Sequence, residues 1–165
     1  MPFNEQYIHF GKGQMETALT LEPGTYTLRM LLADQKHLPH FVYSKPATIT
    51  VTKKNPTDPK TLSVKGLVLG LDGPVTKTPF RVQFHASALN VAHEAQKIPE
   101  TGHFRLTVTP ANGKTGAAVL DFREGQTEVW LAPPAGVYTL RLELLDNLDE
   151  RKALAEPVTA RLEVR

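Results

Sequence analysis

The sequence predicts an all-β protein built as an antiparallel sandwich. Three observations carry this: period-2 alternation of apolar residues, turn residues between the apolar runs, and an internal repeat of a strand-rich block. Residues 10–17 (FGKGQMET) match residues 122–129 (FREGQTEV), and residues 24–34 (GTYTLRMLLAD) match residues 136–146 (GVYTLRLELLD), both at an offset of 112. At that offset residue 1 aligns with residue 113, so residues 56–112 have no upstream counterpart. The expected organisation is a half unit plus a full unit, with the chain starting mid-domain. Residues 1–52 form the C-terminal half of a first β-sandwich repeat, 53–60 a linker, and 61–165 a complete repeat.

In the first repeat the glycines of residues 10–14 permit a tight turn or bulge ahead of a strand at 17–21. Tyr26, Leu28, Met30 and Leu32 then share one face of a strand, against Thr27 and Arg29 on the other; Ile49 and Val51 close the repeat. A helix would place apolar residues at i, i+3 and i+4, which this stretch does not do. Residues 53–60 (KKNPTDPK) are polar, hold two prolines and lack periodicity, as a linker does. In the second repeat 62–71 (LSVKGLVLGL) is an apolar strand with a central glycine. Phe80, Val82, Phe84 and Ala86 alternate, and so do Phe104, Leu106 and Val108. Residues 89–101 read as a short helical turn or a long loop, and 146–155 as a loop with a helical turn. Tyr138, Leu140, Leu142 and Leu144 oppose Thr139, Arg141 and Glu143, and Leu162 and Val164 end the chain. Glu22-Pro23-Gly24, Asp72-Gly73-Pro74, Asn112-Gly113 and Pro133-Pro134-Ala135-Gly136 are turn signals between these runs. Strands with one apolar face need a second sheet to cover them, which gives a sandwich. Half a sandwich needs the same cover, from upstream sequence, from the complete unit, or from another chain by strand addition, and packing against the complete unit as one larger sandwich is the expected arrangement.

Composition narrows the function. Net charge is +2 with basic and acidic residues interleaved, so there is no Lys/Arg stripe for nucleic acid. The chain has no cysteine, which excludes disulfides, thiolate metal sites and thiol nucleophiles. No apolar run approaches the roughly 18 residues of a membrane helix, so no membrane span is expected. MPFNEQYIHF lacks the basic and apolar parts of a signal peptide. Ser44, Ser63 and Ser87 do not sit in a G-x-S-x-G elbow, and no paired-carboxylate motif stands out, so no catalytic role is expected. The FGxGQ block is not a phosphate loop, since the GxxxxGK[ST] spacing and a following helix are both missing.

The order HFGKGQMET, GTYTLRMLLAD, HLPH (residues 37–40) resembles a bacterial family of exported, mostly periplasmic domains of unknown function. Its signature runs close to HIHFGGGQTE, PPG-x-HTLQLLLGD and HIPH, usually after a GHHH-like element. Ile8-His9-Phe10-Gly11, Gly13-Gln14 and His37-Leu38-Pro39-His40 match these blocks, and Gly102-His103-Phe104 is a shortened GHHH. The resemblance implies an immunoglobulin-like β fold and an exported setting, and no reaction. Tyr7 replaces the first His of the signature, and in the second repeat His9, His37 and His40 become Asp121, Asp149 and Lys152 at the constant offset.

Imidazole is a common ligand for copper and zinc. His9 begins one strand and the loop holding His37 and His40 follows the next strand but one, so the three could meet at one sheet edge, with Pro39 stiffening the loop. His9, His37 and His40 are therefore the candidate metal ligands, for copper or zinc. The alternative is that these imidazoles hydrogen-bond loop backbone. His85 and His93 fit no ligand spacing, and His103 belongs to the GHHH-like block. Gln14 and Gln126, with Glu16 and Glu128, are expected to tie down loop backbone. Trp130, Tyr26 and Tyr138 are expected to pack in the core or on a sheet face. The expected function is a non-catalytic, periplasmic or otherwise exported immunoglobulin-like module that binds a metal ion. The alternative is a protein-interaction or structural module of the bacterial envelope, meeting an envelope protein or a second copy through an edge strand.

Overall fold

In the computed structural model, which describes residues 7–34, 36–113 and 116–165, the chain is all β and divides into two compact units. The first comprises Met1–Gly11 and Thr17–Leu62; the second comprises Lys12–Glu16 and Ser63–Arg165.

The first unit contains two antiparallel ribbons. β1 (Gly24–Leu28) pairs with β4 (Ala47–Val51), and β2 (Leu31–Ala33) pairs with β3 (Pro39–Tyr43) with a register shift between Leu31 and Ala33. Ser44 interrupts the line from β1 to β2: its Oγ accepts the Met30 N–H at 2.9 Å and its N–H bonds the Met30 carbonyl at 3.0 Å. The Tyr26 hydroxyl donates to the Glu22 carbonyl at 2.8 Å and so anchors the start of β1. A single-turn 3₁₀ segment, Pro59–Thr61, ends the unit.

The second unit is a two-sheet sandwich. Its strands are β5 (Gly66–Gly70), β6 (Val75–Thr76), β7 (Phe80–Ser87), β8 (Asn90–Val91), β9 (Thr101–Pro110), β10 (Ala118–Phe122), β11 (Glu128–Leu131), β12 (Gly136–Asp146) and β13 (Val158–Val164). One sheet runs β10-β9-β12-β13-β6, with β8 added alongside β9; the other runs β11-β7-β5. β12 is central, pairing with β9 from Tyr138↔Pro110 to Asp146↔Gly102 and with β13 from Gly136↔Val164 to Leu142↔Val158. The alternation read from the sequence places Phe80, Val82, Phe84 and Ala86 of β7 in the core. The same is true of Phe104, Leu106 and Val108 on β9 and of Tyr138, Leu140, Leu142 and Leu144 on β12. The sheets meet through ring contacts of Phe84 with Phe104 (5.3 Å) and Phe122 (4.8 Å). Each such side chain contributes about 1.5–3 kcal/mol by leaving water.

Two segments left open by their composition resolve as irregular structure without helix. Residues 89–101 supply β8 and turns. The helical turn expected in 146–155 does not form: the Asp146 carboxylate accepts the Leu148 N–H at 2.8 Å, an Asx turn that competes with helix, and Leu154 N–H bonds the Leu144 carbonyl.

The ribbons β1–β4 and β12–β13 share one register: Tyr26↔Ile49 corresponds to Tyr138↔Leu162, and Leu28↔Ala47 to Leu140↔Ala160. Their burial differs sharply. None of the described residues of the first unit is buried. Met30 is 75% exposed where Leu142 is 0%, and Leu32 is 58% exposed where Leu144 is 0%. The expected strand at 17–21 is also absent. Its counterpart β11 exists because β7 pairs with it along Glu128↔Gln83 to Leu131↔Phe80, and no described strand does this for 17–21.

Candidate functional site

The loop between β2 and β3 is built by Asp34. Its carboxylate accepts the N–H groups of Lys36 (2.8 Å) and Leu38 (2.9 Å), and its carbonyl accepts the His37 N–H at 2.9 Å. The turn is tight enough to put His37 in the left-handed region at φ 60°. This presents the His37 ring to His9, with ring centroids 5.1 Å apart and planes at 77°. His40 lies on β3 and is exposed. The structure thus brings His9 and His37 together. Among the described residues no group of three or more His, Asp or Glu side chains is arranged to hold a metal ion.

The second unit carries the related loop with a different length. Asp146 N–H bonds the Lys152 carbonyl as Asp34 N–H bonds the Leu38 carbonyl, so two additional residues are accommodated. The constant offset therefore ends at Asp34 and Asp146. Lys152 takes the place of Leu38 rather than that of His40. Beside this loop lies His103, fully buried on β9. The Asn147 amide Nδ2 donates to the carbonyls of His93 (3.1 Å) and Gln96 (3.3 Å), which leaves Oδ1 as the acceptor facing His103 Nδ1 at 2.8 Å. Nδ1 therefore donates to Asn147, and Nε2 is buried without a hydrogen-bond partner among the described residues. Lys97 Nζ closes the cluster on the Asn147 carbonyl at 2.6 Å.

Asp121, at the position of His9, is held by Arg105, its cross-strand neighbour, in a bidentate pair at 2.6 and 3.0 Å. That hydrogen bonding keeps the Asp121 carboxyl below its usual range, with the Arg105 and Arg123 charges adding to it. Arg123 grips Glu150 at 2.9 and 2.7 Å and also pairs with Glu94. These guanidinium groups neutralise the carboxylates around His103, so this end of the second unit is an ionic latch. Exposed pairs of this kind are worth at most about 1 kcal/mol each.

The FGxGQ block is a structural clamp used twice. Gly13 and Gly125 have φ 81° and 80°, and the Gln14 and Gln126 side-chain oxygens accept the N–H two residues upstream, at 2.7 Å (Lys12) and 3.0 Å (Glu124). A Cβ on Gly13 would lie 2.1 Å from the Val91 carbonyl oxygen, because Gly13 approaches β8 closely enough for its own carbonyl to accept the Val91 N–H at 2.8 Å. The two carboxylates that follow diverge. Glu128 pairs with Arg81 at 3.6 Å, whereas Glu16 accepts the Ala88 N–H at 3.0 Å and the Ser63 hydroxyl and faces His85 Nε2 at 3.5 Å. The bond from Ala88 N–H is the main cause that holds Glu16 below the ordinary carboxylate range. A depressed folded pKa means stability that is present above the unfolded value, about 4.3, and is lost as pH falls through the folded value. Glu16→Gln is expected to cost about 1 kcal/mol at pH 7 and to flatten that acid-side loss, read by urea unfolding between pH 3 and 7. An unchanged pH slope would refute this role.

Other side chains complete the survey. His93 Nδ1 accepts the Ala95 N–H at 3.0 Å and caps its own turn. The Tyr138 hydroxyl donates to the Pro134 carbonyl at 2.8 Å, four residues upstream, as Tyr26 does to Glu22. Trp130 corrects the packing expectation: it stands on β11 opposite Arg81, at the edge of its sheet, and is 62% exposed. The buried His103–Asn147 pair was not legible from spacing, since the two residues lie 44 apart in sequence and Asn147 acquires its role only through the pairing of β9 with β12.

These features define an all-β, sandwich-like protein with one well-packed unit and one unit of related sequence whose described residues form no buried core, and with a histidine-bearing loop in the latter. The chain belongs to the family described as domain of unknown function DUF4399, whose model matches residues 1–52 and 82–164. No curated protein matches it. No helix among the described residues is long and apolar enough to cross a membrane.

Proposed function

We propose that the chain is a non-catalytic, exported module of the bacterial envelope whose first unit is an acceptor surface for another protein. The contrast in burial between equivalent positions carries this reading. Met30 and Leu32 of the first unit, counterparts of the core residues Leu142 and Leu144, are exposed, and so are Phe41 and Val42 of β3. Exposed large apolar side chains gathered in one unit suit an interaction site. The tyrosine hydroxyl bonds at Glu22 and Pro134 have the form of the corner found in immunoglobulin-like sandwiches and support that fold assignment. Bis-ANS fluorescence tests the open face. The wild-type chain is expected to enhance it strongly, and a Met30→Glu, Leu32→Glu variant to lose most of that enhancement while the second unit melts unchanged. A wild-type chain that leaves the dye dark sinks the acceptor reading.

A second reading, binding of Cu(II) or Zn(II), is favoured by the His9–His37 ring contact at 5.1 Å. His40 would be the third ligand, reached by movement of the loop. Calorimetry of the metal-free protein is expected to show stoichiometric binding that a His37→Ala, His40→Ala variant loses. Equal, weak heats from both proteins would remove the metal from consideration.

A further inference from the structure

We propose that the outward face of the sheet β11-β7-β5 binds an equatorially linked glycan chain, stacking one sugar ring on Trp130 and hydrogen-bonding its neighbours through Arg81, Gln83 and Glu128. The proposal is independent of the acceptor reading, because all four residues belong to the second unit. Period 2 decides which side chains stand on this face. Val82 and Phe84 of β7 are buried in the core, and Val129 and Leu131 of β11 pack against it. The residues between them must then point outward, and the 62% exposure of Trp130 is imposed by that register.

Trp130 stands directly opposite Arg81, and Glu128 opposite Gln83, which has Gly70 on its other side. Arg81 reaches diagonally to Glu128 at 3.6 Å. A Cβ added at Gly70 would lie 3.3 Å from the Gln83 Cβ, so glycine keeps the surface beside Gln83 low. The face is thus an indole on an edge strand with a shallow polar floor next to it. A pyranose ring matches both parts. Its C–H face covers an indole without losing hydrogen bonds, and its rim hydroxyls each donate and accept. Arg81 supplies donors, Glu128 acceptors and Gln83 both. In an equatorially linked chain, successive rings follow at about the spacing of neighbouring strands, ~4.8 Å. A chain crossing the sheet from Trp130 therefore sets its next ring over β7.

Other occupants match the face less well. Its charges are balanced, Arg81 by Glu128 and His85 by Glu16 at 3.5 Å, so it lacks the unpaired cations that hold a polyanion. Trp130 and Val68, both exposed, stand on different edge strands with the polar side chains of β7 between them. They do not form the contiguous apolar centre on which a protein interface is built.

Trp130 is the sole tryptophan of the chain, so its emission reads this face directly. The full-length protein is titrated with cellohexaose and N-acetylchitohexaose, and with the axially linked maltohexaose as control. At least one of the first two is expected to shift the emission to the blue and to reduce acrylamide quenching, both saturably. Gln83→Ala, which keeps the indole, is expected to weaken that binding roughly tenfold. Trp130→Ala is expected to abolish the heat of binding in calorimetry, and both variants to melt as wild type does. Emission unchanged by every sugar would overturn the proposal, as would binding that survives Trp130→Ala. An equal response to maltohexaose would overturn the equatorially linked chain as the ligand. A blue shift with phosphatidylglycerol vesicles, or with rising protein concentration, and none with the sugars would overturn the glycan in favour of a membrane surface or a second copy.

Discussion

Leu144→Ala should destabilise the second unit by about 3 kcal/mol, while Leu32→Ala, the same change at the repeat-equivalent position, should alter stability by less than about 0.5 kcal/mol. Leu144 is fully buried on β12 between Phe104 on β9 and the facing sheet. Removing its three outer carbons forfeits their transfer free energy and leaves a cavity that a strand paired on both edges cannot collapse, and such substitutions cost about 2–5 kcal/mol. Leu32 is 58% exposed and has no enclosed space to vacate. Urea unfolding followed by circular dichroism reads both variants against wild type. Equal costs would mean that the first unit's face is covered in solution, and the acceptor reading would fall with that result.

Gly102→Ala should be nearly as damaging, at about 3 kcal/mol, equivalent to a fall in melting temperature of about 10–20 °C for a unit of this size. The obstacle is backbone: a Cβ at Gly102 would sit 2.3 Å from the Leu145 carbonyl oxygen and 3.0 Å from Leu144 Cγ. β9 and β12 are paired directly at this point, through Leu145↔His103 and Asp146↔Gly102. Relief requires the strands to part, which moves His103 off Asn147 and leaves buried polar groups without partners. Gly116→Ala is the control, since nothing lies within 4 Å of its added carbon. A Gly102→Ala protein that melts within about 2 °C of wild type would show that this end of the sheet is looser than the pairing implies.

Much of the fold was legible because a strand's side chains alternate by geometry alone. Phe80, Val82 and Phe84, and Tyr138, Leu140 and Leu142, were assigned to one face each from period 2, and each set lies in the core. The GQ clamp was legible because an amide following a positive-φ glycine has few places to go. The His37 turn was readable only in outline. Its shape follows from Asp34 accepting two N–H groups, and the corresponding loop after Asp146 is longer, so a constant offset misplaced the counterpart of His40. The ionic latch of Arg105, Arg123, Asp121 and Glu150 joins residues from different strands and loops, and no local pattern marks it.

What the sequence determined by itself was local. It set which residues alternate, where the chain turns, and that GTYTLRMLLAD and GVYTLRLELLD would form the same kind of strand with the same tyrosine anchor. Only the tertiary structure decided which of those two strands has a core. Alternation fixes the direction of a side chain relative to its own strand, whereas burial depends on whether another sheet lies in that direction. For β12 the sheet β11-β7-β5 supplies the cover. For the related strands β1 and β2, among the described residues of the first unit, no comparable sheet does, and Met30 and Leu32 are exposed.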